Sequence, residues 1–78
     1  MTYNIELNIK NITVDLAQKL RDIGENNCYK VWNHGYDRLV FESEHGDRFT
    51  NLINELSRCC EVHGVDYCKL LDLEEVIY

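Results

Sequence analysis

Seventy-eight residues, 45% of them apolar, with a formal net charge of −6 at pH 7, suffice for one small domain and not for two cores. That apolar share excludes a disordered chain, and apolar runs of no more than two or three residues exclude a membrane-spanning helix. The charge is lopsided: residues 1–41 balance acids against bases, whereas residues 42–78 set nine acids against Arg48, Arg58 and Lys69, a half that repels phosphate backbones and attracts basic surfaces.

Tyr3 to Lys10 alternates apolar and polar residues, which predicts a half-buried strand with Tyr3, Ile5, Leu7 and Ile9 facing inward. Thr13 offers an N-cap, and Leu16, Ala17, Leu20 and Ile23 recur at helical spacing. Gly24 stands where a left-handed residue would close that helix, predicted over roughly residues 14–24. Cys28 to Trp32 is aromatic and β-branched and predicts a second strand, followed by a glycine-containing connection over 33–37 and a third strand over 38–43. Leu39 and Phe41 fall on one face of the third strand, with Val40 and Glu42 on the other. Asp47 offers a cap for a second helix, whose inner stripe is Phe49, Leu52, Ile53, Leu56, Cys60 and His63 and which Gly64 closes. Alternation from Tyr67 to Leu73 predicts a last strand over 66–72. The order β-α-β-β-α-β predicts a single α+β domain over 1–78 of ferredoxin-like form, a four-stranded antiparallel sheet with two helices on one face.

Met1 to Asn4 lacks the basic and apolar regions of a secretory signal, so the expected compartment is the cytoplasm and the four cysteines are expected as reduced thiols. Cys59, Cys60, His63 and Cys68 bring soft ligands together, but their spacing matches no zinc knuckle or finger, and buried thiols are expected instead of a metal site. A cysteine nucleophile paired with His34, His45 or His63 lacks an orienting third group at recognisable spacing. RNA-recognition domains of this topology stack bases on aromatic residues of strands 1 and 3, where this chain has Asn4, Glu6, Asn8, Val40 and Glu42. Acylphosphatases share the topology but need a phosphate-cradling loop after strand 1, and Asn11-Ile12-Thr13-Val14 has neither its glycine nor its arginine. No enzyme, no cofactor and no direct nucleic-acid contact is therefore expected.

As a small, acidic, reduced-thiol chain without a catalytic signature, the protein resembles anti-CRISPR proteins, several of which are acidic and block positively charged nucleic-acid sites on their targets. The resemblance is one of format over the whole chain. It implies a stoichiometric inhibitor of a host nucleic-acid-handling complex, working in the host cytoplasm as a monomer or homodimer and occluding a basic surface. Glu42, Glu44, Asp47, Asp72, Glu74 and Glu75 are then expected to face the basic partner, with Trp32 and Tyr36, at the hairpin, as aromatic anchors. The other reading is a regulatory βαββαβ domain that senses a small ligand or a metal ion.

Overall fold

The computed structural model describes residues 3–71. Within them the order is β1 (Tyr3–Asn8), α1 (Val14–Asn26), β2 (Lys30–Asn33), β3 (Arg38–Ser43), α2 (Phe49–Val62) and a single helical turn, α3 (Tyr67–Leu70). The sheet order is β1-β3-β2, with both pairings antiparallel. The architecture is a small α+β one, and its sheet is antiparallel as expected.

One side of the sheet carries the core. Ile5 and Leu7 of β1 and Leu39 and Phe41 of β3 are buried with Leu16 and Leu20 of α1 and with Leu52, Leu56 and Cys60 of α2 in one cluster. Both long helices therefore lie on the same face, which is what the clean alternation of β1 implies. At the start of α1 the Thr13 hydroxyl accepts the Leu16 N–H at 3.1 Å, as expected of an N-cap. A second polar tie joins the two helices. Asn27, 3% exposed, donates through Nδ2 to the Ile23 carbonyl (2.9 Å) and to Glu55 (3.4 Å), and its Oδ1 accepts from Asn51 (2.7 Å). Asn51 also donates to Glu55 at 2.8 Å.

Several expectations are corrected. Gly24 does not end α1, which runs on to Asn26; a Cβ there would lie 2.5 Å from the Phe41 ring and 2.6 Å from Val31, so the glycine lets the helix pack closely on the sheet. The left-handed residue is Cys28, at φ 65°, which delays the second strand from Cys28 to Lys30. Asp47 does not cap α2; Arg48 holds the cap position and makes no side-chain capping bond. His63 is exposed and off the inner stripe, its Nδ1–H donating to the Cys59 carbonyl at 2.9 Å.

The expected strand over 66–72 is replaced, as far as Leu70, by α3. Asp66 accepts the Cys68 N–H at 3.0 Å and caps the turn, and Tyr67 and Leu70, three apart, both bury their side chains. Leu71 then makes one antiparallel bridge to Leu7. Three strands, not four, are present among the described residues.

Candidate interaction surface

Among the described residues, both long helices lie on the core side of the sheet and none lies on the other. Its positions follow from the register: Glu6, Val40 and Trp32 lie in one row across the three strands, and Asn4, Glu42 and Lys30 in the next. Directly opposed residues of an antiparallel pair share a face. Val40 is the unexpected member, only 3% exposed yet outside the core cluster, on the middle strand in register with Glu6 and Trp32. Trp32 is 38% exposed, and its ring lies 5.9 Å from that of His34. Arg38 pairs with Glu6 at 3.5 Å. Glu42 is half-buried and, among the described residues, has no hydrogen bond or ion pair.

The hairpin runs from this face to two distant ends. At its tip Tyr36 is fully exposed, next to Gly35 at φ 76°. At the other end of β3 the chain enters the loop that carries Glu44, His45 and Asp47, all exposed. Six residues of strand separate the two ends, roughly 20 Å at about 3.4 Å per residue. The loop is held from beneath: the Tyr3 ring lies against Gly46 and 5.7 Å from the ring of Phe49, and the Ser43 hydroxyl accepts the His45 N–H at 3.1 Å. Tyr29 lies in the core close by. Its phenol is raised above the ordinary tyrosine range by burial, with Asp47 and Tyr3 adding to the effect.

The expected anchors and acids thus divide into groups. Trp32 and Glu42 belong to the sheet face away from the long helices, Glu44 and Asp47 to the loop, and Tyr36 to the opposite end. Asp72, Glu74 and Glu75 lie outside the described residues. Beside the loop, Cys28, Lys30, Glu42, Ser43, Glu44 and His45 line an open groove of about 410 Å³. The sequence held no signal for this groove, since it depends on where the left-handed turn at Cys28 sets the start of β2.

The thiol cluster is also dispersed. Cys60 is fully buried and Cys68 exposed. Burial raises the Cys59 thiol and lifts Cys60 to about 11, so the thiolate that metal binding or nucleophilic attack needs is disfavoured at both. Among the described residues no group of three or more His, Cys, Asp or Glu side chains is placed to hold a metal ion. Nor is any helix there long and apolar enough to cross a membrane. No protein family, no curated protein and no solved structure matches the chain at a significant level.

Proposed function

We propose that the chain is a non-enzymatic protein-binding module that occludes a basic, nucleic-acid-handling surface of its partner, in the manner of anti-CRISPR proteins. The observation that supports this reading best is the loop between β3 and α2. It leaves Glu44 and Asp47 exposed, with Glu42, which has no ion pair among the described residues, at its base. Carboxylates placed this way compete with phosphates for Lys and Arg and speed encounter with a positive surface. Trp32 lies on the adjoining face and Tyr36 at the far end, so the contact rests on the acids. Capture of a partner by the wild-type chain, weakened both by added salt and by the pair Glu44→Lys and Asp47→Lys, is the expected result. Binding that ignores salt and charge reversal together overturns the reading.

The same reading takes the domain as ferredoxin-like. The order β1-β3-β2 and the bridge from Leu7 to Leu71, on the edge of β1 away from β3, are what support a fourth strand there.

The groove beside Cys28 favours a second reading, a sensor of a small ligand, since its volume falls within the usual range for such sites, about 300–1,000 Å³. Thermal stabilisation by a free amino acid or by zinc, lost in Lys30→Ala, would favour the sensor over the binding module.

A further inference from the structure

We propose, on the sensor reading of the groove beside the β3–α2 loop, that its ligand is a cationic α-amino acid of the arginine or lysine type, held at each of its charged groups. Lys30 on β2 and Glu42 on β3 are directly opposed in the register, and both line the groove. Opposite charges that face one another on neighbouring strands ordinarily pair. Here, among the described residues, neither side chain has a hydrogen bond or an ion pair, and the same holds for Glu44 on the groove's far wall. An ammonium and a carboxylate that border one open space without pairing fit a ligand that carries both opposite charges. The carboxylate of an α-amino acid meets Lys30 and its ammonium meets Glu42, each through charge-assisted hydrogen bonds.

Charge narrows the class further. One lysine against two glutamates leaves Glu44 unmatched by a neutral amino acid, and a cationic side chain supplies the missing charge. An acidic amino acid instead brings a second carboxylate towards Glu44 and is repelled. With about 410 Å³ the groove has room for a long side chain, and Cys28, Lys30, Glu44 and His45 along it are all exposed, so the ligand can enter. The wall that carries Glu44 is set beforehand. The Ser43 hydroxyl donates to the His45 carbonyl and accepts the His45 N–H, both at 3.1 Å, and so clasps the backbone on either side of Glu44. A loop ordered in advance leaves less ordering cost to be met on binding.

Calorimetric titration of the full chain with L-arginine, agmatine, L-glutamate and zinc tests this, and the rate of Cys28 alkylation, followed by mass spectrometry, locates the ligand. Agmatine is arginine without its carboxylate. Arginine is expected to bind at least roughly tenfold more tightly than agmatine, and Lys30→Ala should remove that advantage. Bound arginine should slow the alkylation of Cys28, which lines the groove, and leave that of Cys68, exposed and outside it, unchanged. Glu42→Gln, checked for retained helical circular dichroism, should weaken both ligands. Arginine that binds no more tightly than agmatine, or that binds without shielding Cys28, overturns the proposal. Glutamate or zinc shielding Cys28 in place of arginine also overturns it, but leaves the sensor reading standing. Failure of all four probes to bind overturns both.

Discussion

Cys28 and Gly64 hold the same position in two copies of one helix-ending motif. After α1, the Cys28 N–H bonds the Glu25 carbonyl (3.1 Å) and the Tyr29 N–H bonds Gly24 (2.9 Å). After α2, the Gly64 N–H bonds Glu61 (3.0 Å) and the Val65 N–H bonds Cys60 (2.8 Å). Both residues are left-handed, at φ 65° and 73°, and the paired bonds are those of a Schellman motif. A side chain in this conformation costs about 1–2 kcal/mol, and glycine avoids that.

The pair gives opposite mutational outcomes. Cys28→Gly should stabilise the fold by about 0.5–1 kcal/mol, and Gly64→Ala should destabilise it by about 1 kcal/mol. Denaturant midpoints of the two variants check both signs.

Gly24→Ala sets helix propensity against packing. Alanine is favoured over glycine inside a helix by about 1 kcal/mol. The added methyl meets Phe41 and Val31 at 2.5 and 2.6 Å, however, and both are held in or against the core. Overpacking of this kind costs about 1–3 kcal/mol, so a net loss of stability is expected on chemical denaturation.

Asn27→Ala should cost about 1–2 kcal/mol, because it removes the bonds of a buried amide to the Ile23 carbonyl and to Asn51, while the exposed Asn51 and Glu55 keep their own bond. In a double-mutant cycle with Glu55→Ala, a coupling of at least about 0.5 kcal/mol is expected. Strict additivity would show that the two helices are not joined through this network.

Alkaline stability should be governed by Cys60 and Tyr67. Burial raises Cys60 from 9.0 to about 11 and Tyr67 from 10.0 to about 12 in the folded protein. The unfolded chain therefore loses these protons first, and stability falls as pH rises. The contribution of Cys60 is complete below pH 9 and gone above about 11, and that of Tyr67 fades between 10 and about 12. Cys60→Ala, which leaves a small cavity costing about 1–2 kcal/mol at neutral pH, should flatten the first part of this decline. A pH profile of unfolding free energy that is unchanged in the variant would contradict it.

The elements with a one-sided apolar pattern were legible in the sequence. β1, β3 and the two long helices were readable because alternation or helical spacing reports which face meets the core. Thr13 was legible because a cap is a local bond. Gly24 was not, since its packing role depends on Phe41, seventeen positions away, and the left-handed turn then fell to a cysteine, which composition does not flag. The segment after Asp66 alternates like a strand, yet one carboxylate bond to the Cys68 N–H and the burial of Tyr67 and Leu70 turn it into a helix. How the expected site residues lie relative to one another was not legible. Neighbours along β3 separate onto opposite faces and ends, so Tyr36 and Glu44, both expected at one contact, stand at opposite ends of the strand. Val40 read as exposed, because nothing local signals its burial.

Arg21 has a further effect on the behaviour of the chain at high concentration. From α1 it donates to the Val31 carbonyl at 3.3 Å and to the Asn33 side chain, over the outer edge of β2. A four-residue strand at the margin of a sheet is a template for fibre growth when its backbone groups are open, and a guanidinium laid across it blocks the incoming strand while adding a charge that repels stacking. Arg21→Ala should accordingly lower solubility on storage more than it lowers the unfolding midpoint, with thioflavin-positive material forming from protein that is still folded.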